Sequence, residues 1–184
     1  MLVGDGWAFV HIPKCGGSTV RAILKGWECV EVLPMFPRNT VDHGFHWVGQ
    51  NVHPGSFTFV RHPVIWLCSY WSERAKESRK SKNIHMRIQL LDRLWTLDPS
   101  LFLTRVAINA PGYVGELFDA YTAYAVNVHR LEDGIDHVLS DILGKPVSAP
   151  IKNTGWAPKV TERARRLVIS SERAALEKYG YTKC

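Results

Sequence analysis

A short turn near the N-terminus combines the residue types that bind an anion: a lysine, two adjacent glycines and two hydroxyls. The turn comprises Pro13, Lys14, Cys15, Gly16, Gly17, Ser18 and Thr19. Glycine lets the backbone approach an anion because no Cβ stands in the way. Lysine supplies a positive charge that can follow a developing negative charge. The composition of the turn therefore predicts a phosphate- or sulfate-binding loop.

The sequence on either side of the turn predicts a strand before it and a helix after it. Residues 7–12 are apolar, aromatic and β-branched, which is typical of a buried strand. Val20, Ile23 and Leu24 have helical spacing, so we expect a helix over residues 18–25 with Ser18 or Thr19 as its N-cap. The free amides and the dipole at such a helix start favour negative charge.

A second stretch favours anion binding over the alternative, an ordinary strand-to-helix turn. Residues 56–60 predict another buried strand, and Arg61 follows it directly. Pro63 suits the first turn of a helix, on which Ser69 lies two turns further on. An arginine fork and a serine hydroxyl can together hold a second anionic group. The first turn is not a Walker A loop, because its lysine precedes the glycines.

These two stretches resemble the donor-binding motifs of sulfotransferases that use 3′-phosphoadenosine 5′-phosphosulfate (PAPS), with the carbohydrate-type branch most similar. Residues 12–18 resemble the 5′-phosphosulfate loop, and residues 59–63 with Ser69 resemble the 3′-phosphate motif. The likeness covers roughly the first 70 residues, and residues 129–133 and 179–181 are further family-like fragments. The family often has a second arginine five residues after the first, where this chain has Trp66.

The resemblance implies an enzyme that moves a sulfuryl group from PAPS to a hydroxyl or amine and releases 3′,5′-diphosphoadenosine. The expected acceptor is a small molecule or a saccharide, and no metal is expected. Lys14 would contact the bridging oxygen of the donor, and Arg61 and Ser69 would hold the 3′-phosphate. The rest of the loop would hold the 5′ end: Pro13, Cys15, Gly16, Gly17, Ser18 and Thr19.

The catalytic base is expected before the arginine motif, where the family uses a histidine or a glutamate. His43 and His46 occupy this region, and histidine titrates near neutral pH. We favour His43 because His43-Gly44 resembles the family's short His-Gly turn. The alternatives are a structural role for both histidines and zinc binding together with His53. Glu132 is the next candidate base.

Two other functions are alternatives to the sulfotransferase. A nucleotide or small-molecule kinase of similar fold would need a lysine after the glycines and a metal-binding aspartate, and no such loop is present in the sequence. A donor-binding module without catalysis would suit Trp66 and the short chain. Cys15 could also be a nucleophile, because a helix start lowers the pKa of a thiol. The phosphatase loop that uses such a cysteine, however, ends in an arginine that this turn lacks.

Strands that alternate with helices predict one α/β domain over residues 1–184. The expected architecture is a P-loop-like three-layer fold with a central parallel sheet flanked by helices. Expected strands are residues 7–12, 29–33, 56–60 and 123–129. Expected helices are residues 18–25, 84–95, 98–106, 113–121, 135–143 and 161–179, and one that begins at residue 63.

Ligands of such folds bind at the carboxyl ends of the strands, so we expect Lys14, Arg61 and Glu132 at one edge of the sheet. Glu132 and Asp133 either orient the site or cap the helix at residue 135, and capping is the simpler interpretation. The charged residues 72–82 are expected to form a solvated helix end, with a mobile basic lip over the site as the alternative.

Composition bounds the partners and the compartment. The formal net charge of +6 suits a doubly anionic donor. The four cysteines lack metal-ligand spacing, so we expect reduced thiols in a cytoplasmic protein. The first strand is expected close to Met1 and no run of eighteen apolar residues occurs, so neither a signal peptide nor a membrane anchor is expected. Nucleic acid is not an expected partner, because basic residues cluster only at 72–82 beyond the anion loops.

Overall fold

A computed structural model describes residues 2–26, 29–31, 52–80, 89–148 and 157–181. These residues pack as two compact units. The first unit contains residues 2–26, 29–31, 52–61 and 118–148, and the second contains residues 62–80, 89–117 and 157–181. The chain passes from one unit to the other more than once, so the units are not consecutive segments. The single domain over residues 1–184 stays a prediction.

The first unit is built on a five-stranded mixed sheet. Its strands are β1 (Leu2–Gly4), β2 (Trp7–Phe9), β3 (Cys29–Glu31), β4 (Ser56–Val60) and β5 (Asn127–Arg130). In the order β3-β1-β2-β4-β5, the pairs β2–β4 and β4–β5 are parallel, and β1 is antiparallel to both of its neighbours. The α/β class is confirmed, and the sheet is mixed rather than parallel throughout.

The antiparallel part of the sheet begins with a tight hairpin. Asp5 and Gly6 connect β1 to β2, and Gly6 has a φ of 74°. An Asp-Gly pair favours a two-residue hairpin turn, which reverses the chain and makes the two strands antiparallel. The hairpin also explains why the strand expected over residues 7–12 is shorter, since β2 pairs with β1 only from Trp7 to Phe9.

The strand expected over residues 123–129 also differs from its expected bounds, whereas the strand over residues 56–60 is confirmed. β5 begins at Asn127 and not at residue 123. The N–H groups of Tyr124 and Ala125 donate to the carbonyl groups of Tyr121 and Thr122, 3.1 and 3.0 Å away, so these residues form turns that extend the helix. Hydrogen bonds within the turn thus replace the sheet pairing that the apolar pattern predicts.

Aromatic rings on one face of the sheet form the core of the first unit. Phe9 lies opposite Phe57 in the register of β2 and β4, with ring centroids 5.3 Å apart. Phe57 meets Phe59 edge-on at 6.1 Å, and His129 of β5 continues the row 5.9 Å from Phe59. Every residue of β4 is buried, including the polar Ser56 and Thr58, so the strand is covered on both faces, as expected of a buried strand.

Two helices of the first unit start and end close to their expected residues. Helix α1 (Gly17–Leu24) buries Val20 and Leu24, and α6 (Ile135–Leu143) ends at the left-handed Gly144. The expected N-cap at Ser18 or Thr19 is wrong, because Gly16 caps α1 without a side-chain hydrogen bond. Its carbonyl group already accepts from the N–H groups of Thr19 and Val20, at 2.9 and 3.1 Å.

The second unit is helical. It contains α2 (Pro63–Lys80), α3 (Gln89–Leu94), α4 (Pro99–Asn109), α7 (Glu162–Ser171) and α8 (Arg173–Lys178), while α5 (Tyr113–Thr122) begins in this unit and ends in the first. The starts at Pro63, Asp98 and Thr161 are confirmed, and the side chains of Asp98 and Thr161 accept backbone hydrogen bonds as N-caps. The charged stretch 72–82 is helical as far as Lys80, and its last two residues lie outside the described residues.

A buried glutamate breaks the last expected helix into two. The carboxylate of Glu172, 1% exposed, accepts hydrogen bonds from the N–H groups of Val114 and Gly115 at 3.1 and 3.0 Å. These donors belong to the first turn of α5, whose N–H groups have no partner within the helix. Burial raises the pKa of Glu172, and the two N–H donors oppose that shift. The single helix expected over residues 161–179 is therefore wrong, since Glu172 separates α7 from α8.

Across the described ranges, no helix has both the length and the apolar content needed to cross a membrane.

Replacing Glu172 with glutamine is expected to lower the free energy of unfolding by about 1–3 kcal/mol. The amide nitrogen of glutamine is a donor, so either Val114 or Gly115 loses its acceptor. Urea unfolding followed by circular dichroism measures the change. The matched control is Glu177→Gln on α8, where an exposed carboxylate pairs with Arg173 at 2.8 Å and little change is expected. Equal losses in the two variants would contradict the capping role of Glu172.

Candidate functional site

The carboxyl ends of three parallel strands define one edge of the sheet. β2, β4 and β5 run in the same direction, so the segments that follow them leave the sheet at the same edge. The alignment continues beyond β2, since Val10 N–H donates to the Phe57 carbonyl at 2.9 Å and Thr58 Oγ1 donates to the Val10 carbonyl at 2.7 Å. Lys14, Arg61 and Glu132 follow the three strands in turn.

The loop after β2 contains two left-handed residues. Lys14 has a φ of 64° and Gly16 a φ of 79°, and Cys15 N–H donates to the Ile12 carbonyl at 3.3 Å. Glycine adopts this region freely, but a residue with a Cβ does so at a cost of about 1–2 kcal/mol. The backbone at Lys14 is therefore strained, a feature often found at functional sites.

Arg61 joins the two anion motifs that the sequence predicts. Its Nη1 donates a hydrogen bond of 3.2 Å to the carbonyl oxygen of Lys14, across 47 positions of sequence. The contact follows from the parallel pairing of β2 with β4, which brings the residues after the two strands side by side. The arginine thus reaches the backbone of the strained residue, and this is its one hydrogen bond to the described part of the chain.

Packing explains why both loop positions are glycines. A Cβ at Gly16 would approach Cδ1 of Leu131 and of Ile135 to 2.6 and 2.9 Å, and a Cβ at Gly17 would overlap the imidazole of His11. At Gly16 the left-handed backbone adds strain for any residue with a Cβ, and at Gly17 a Cβ would force the His11 ring to move, so both positions favour glycine whether or not a ligand binds. His11, expected to be structural, lies against Gly17 and 5.9 Å from the ring of Phe9.

Cys15 is a buried thiol beneath the loop. It is 1% exposed and free, and burial raises its pKa far above the ordinary value. The charges of Arg61 and Lys14 lower this pKa and that of Glu132 raises it, but burial dominates. The thiolate is the nucleophilic form, so the thiol of Cys15 is not suited to be a nucleophile. The sequence alternative of cysteine catalysis is not supported by this environment.

Tyr121 is a neighbour of Cys15 that the sequence pattern does not single out. It lies in the last turn of α5, within the part of that helix that belongs to the first unit. Burial, followed by the influence of Cys15, raises the pKa of Tyr121 to about 12. Its hydroxyl group therefore keeps its proton at neutral pH. Nothing local marks this residue, because its proximity to the loop depends on tertiary packing.

The turn after β5 holds an ion pair and not a helix cap. Leu131–Asp133 forms a 3₁₀ turn, and Arg130 donates from Nε and Nη2 to the two carboxylate oxygens of Asp133, at 2.9 and 2.7 Å. The Arg130 hydrogen bond lowers the pKa of Asp133. The predicted capping of α6 by Glu132 and Asp133 is wrong, because Gly134 is the N-cap and no side chain caps the helix. Glu132 is exposed at the edge of the sheet.

Several other expected site residues are placed without a shared geometry. Pro13 is half-buried, Ser18 is exposed and Thr19 is buried at the start of α1. Ser69 is half-buried on α2, in the second unit, so its partnership with Arg61 rests on the sequence motif. His62, the histidine of that motif, caps the start of α2 by accepting from Val64 N–H at 3.3 Å.

The histidine candidates for the base lie outside the described residues. His43 and His46 therefore stay predictions. Of the three histidines considered for zinc, the described one is His53, whose Nδ1 accepts from Gly55 N–H at 3.1 Å. Within the described parts of the chain, no group of three or more histidine, cysteine or acidic side chains could hold a metal ion.

Two positions of the second unit that the family resemblance singles out, one a departure and one a likeness, are packing positions. Trp66, where the family often has a second arginine, is 0% exposed and stacks on Tyr70 at 5.8 Å with an interplanar angle of 13°. Tyr181, from the family-like C-terminal fragment, meets the ring of His62 edge-on at 5.3 Å. The first contact accounts for the apolar residue at position 66, since an arginine there would bury its charge.

Comparisons of the chain with protein-family models, with curated proteins and with solved structures gave no match. The functional assignment therefore rests on the loop geometry and on the two sequence motifs.

Replacing Gly17 with alanine is expected to lower the free energy of unfolding by about 1–3 kcal/mol, because the new Cβ overlaps the His11 ring. The same change made in a His11→Ala background is expected to cost much less. Chemical denaturation of the four proteins of this double-mutant cycle gives the coupling between the two sites. Gly26→Ala is the control, since its Cβ would lie 3.6 Å from the Ile23 carbonyl oxygen. Additive losses at positions 11 and 17 would show that the ring does not impose the glycine.

Proposed function

We propose that the protein is a PAPS-dependent sulfotransferase, with a hydroxyl or amine of a small molecule or saccharide as acceptor. One observation carries the proposal: Arg61 Nη1 lies 3.2 Å from the carbonyl oxygen of Lys14. The residue expected at the 3′-phosphate of the donor is thus in contact with the loop expected at its 5′ end. Two motifs that only resemble a family in sequence are joined by a direct hydrogen bond.

The loop supplies several groups for the 5′ end of the donor. The first hydrogen-bonded amide of α1 is that of Thr19, which donates to Gly16. The amides of Gly17 and Ser18 precede it, at a helix start where no intrahelical acceptor exists. Together with Lys14 and the helix dipole they would bind a phosphosulfate. The arrangement of β2, loop and α1 beside the parallel β4 supports a P-loop-like fold for this unit.

The proposed transfer is an in-line displacement at sulfur. An oxygen or nitrogen of the acceptor forms a bond to sulfur while the bond from sulfur to the bridging oxygen of the donor breaks. Lys14 stabilises the negative charge that develops on that oxygen, and 3′,5′-diphosphoadenosine leaves. The proton of the acceptor passes to the base, for which His43 is favoured over His46. From the resemblance of the sequence motif, Arg61 and Ser69 would bind the 3′-phosphate at the other end of the donor.

A second candidate function is a donor-binding module without catalysis. The observation in its favour is Trp66, which is buried in the aromatic stack of the second unit at the position of the family's second arginine. Such a module would bind the 3′-phosphate of the donor with Arg61 and without the family's second arginine. Binding and turnover therefore have to be measured separately.

Calorimetry is expected to show that 3′,5′-diphosphoadenosine binds at least about tenfold more tightly than AMP or ATP. The reason is the 3′-phosphate, which AMP and ATP lack and which forms charge-assisted hydrogen bonds with an arginine. Arg105→Ala, which removes an exposed arginine of α4, is expected to keep this preference and so controls for a general effect of net charge. Equal affinities for 3′,5′-diphosphoadenosine and AMP would refute the donor assignment.

Transfer from radiolabelled PAPS to a panel of saccharide and small-molecule acceptors is expected to continue in excess EDTA. The positive charge and amides of the loop take the place that a metal ion has in phosphoryl transfer. Loss of turnover in EDTA and its recovery with magnesium would favour the kinase instead. Tight binding of 3′,5′-diphosphoadenosine with no turnover on any acceptor would favour the donor-binding module.

A further inference from the structure

The guanidinium of Arg61 donates its hydrogen bond to the main chain of the loop and not to a side chain of the loop. The acceptor of its hydrogen bond is the carbonyl oxygen of Lys14, the one non-glycine residue with a left-handed backbone among those described. The neighbouring turn adds a second hydrogen bond, from Cys15 N–H to the Ile12 carbonyl at 3.3 Å. Both hydrogen bonds lie on the strained part of the loop, next to the two that the Gly16 carbonyl group accepts from the N–H groups of Thr19 and Val20.

The electrostatic environment strengthens the contact. The guanidinium is permanently charged, and hydrogen bonds with a charged donor are roughly twice as strong as neutral ones. Its charge also has the largest effect of any charged group on the pKa of Cys15, the buried residue next to Lys14 in the chain. Arg61 therefore contributes both a hydrogen bond and a nearby positive charge to the loop. Without it, the left-handed backbone at Lys14 would lose its charge-assisted hydrogen bond.

We propose that Arg61 is a positioning residue for the phosphosulfate loop as well as a ligand for the 3′-phosphate. It holds the backbone of Lys14 in the left-handed conformation, and this conformation sets the direction of the Lys14 side chain and of the N–H groups that follow it. The inference rests on the proposed function and adds to it, because Arg61 would then affect the 5′ end of the donor without touching it.

The same guanidinium can serve both ends of the donor. Within the described residues, Arg61 makes a single hydrogen bond to the protein, through Nη1. Its Nε and Nη2 groups are therefore available to a phosphate in the fork geometry that arginine offers. A 3′-phosphate bound there would restrain the guanidinium and, through Nη1, the loop. The two ends of the donor would bind cooperatively.

Donor fragments that carry only one end separate the two roles. Adenosine 5′-phosphosulfate has the 5′ end without the 3′-phosphate, and 3′-AMP has the opposite. In calorimetry, Arg61→Ala is expected to weaken adenosine 5′-phosphosulfate by about tenfold, although this ligand has no group for Arg61 to bind. Ser69→Ala, the matched control, is expected to weaken 3′-AMP and 3′,5′-diphosphoadenosine but to leave adenosine 5′-phosphosulfate within about twofold. Arg61→Lys keeps the charge and a donor, and it is expected to recover part of the loss.

Hydrogen exchange of the free protein gives a readout that needs no ligand. Peptides that cover residues 12–20 are expected to exchange faster in Arg61→Ala than in the unmodified protein, and to be unchanged in Ser69→Ala. Thermal unfolding of each variant shows that it is folded. If Arg61→Ala does not fold, Arg61→Lys replaces it, with a smaller acceleration expected because lysine supplies one donor centre and no fork.

The outcomes distinguish this inference from the proposed function. If Arg61→Ala weakens 3′,5′-diphosphoadenosine but leaves both adenosine 5′-phosphosulfate and loop exchange unchanged, the positioning role is wrong and the sulfotransferase proposal stands. If the unmodified protein binds none of these nucleotides, the proposed function is wrong. Loop exchange then decides alone: faster exchange in the Arg61 variant supports the positioning role, and unchanged exchange overturns it.

Discussion

The hydrogen bond from Arg61 to the carbonyl oxygen of Lys14 is the interaction on which the candidate site depends. It forms because β2 and β4 are adjacent and parallel, so the segments that follow them leave the sheet next to each other. Its donor is a permanent cation, and its acceptor belongs to a residue with a left-handed backbone. One contact therefore positions a charge and a turn together. The same two motifs on strands that were not neighbours would provide the residues without the site.

The glycine pair of the loop serves packing before it serves any ligand. Gly16 lies close to Leu131 and Ile135, and Gly17 lies against the imidazole of His11. These contacts hold the loop between the end of β2 and the turn after β5. A loop that is shaped by its own packing presents its amides without reorganisation, which is the arrangement that favours transition-state stabilisation. Structural and functional explanations of the two glycines therefore support each other.

Two positions that look like chemical departures from the sulfotransferase pattern are explained by burial. Cys15 is a buried residue of the loop, and burial raises the pKa of its thiol, which disfavours the nucleophilic thiolate. Trp66 stacks on Tyr70 in the core of the second unit, where a charge would be costly. Under the proposed function, the reacting groups of the first unit would be those at its sheet edge, chiefly Lys14 and Arg61.

The sequence by itself determined the features that depend on local physics. It predicted β4, the span of α6 with its stop at Gly144, and the helix starts at Pro63 and Thr161, because strand patterns and cap residues act over a few positions. It also predicted that Lys14, Arg61 and Glu132 follow strands that end at the same edge of the sheet. Only the tertiary structure decided the contacts between distant segments. Glu172, which separates the last two helices, accepts hydrogen bonds from N–H groups that lie 57 and 58 positions away in the sequence. The sheet is mixed because β1 pairs antiparallel with a strand on either side. The hydrogen bond from Arg61 to Lys14 spans 47 positions of sequence. No local sequence pattern specifies which atom a side chain will contact in a residue so far away.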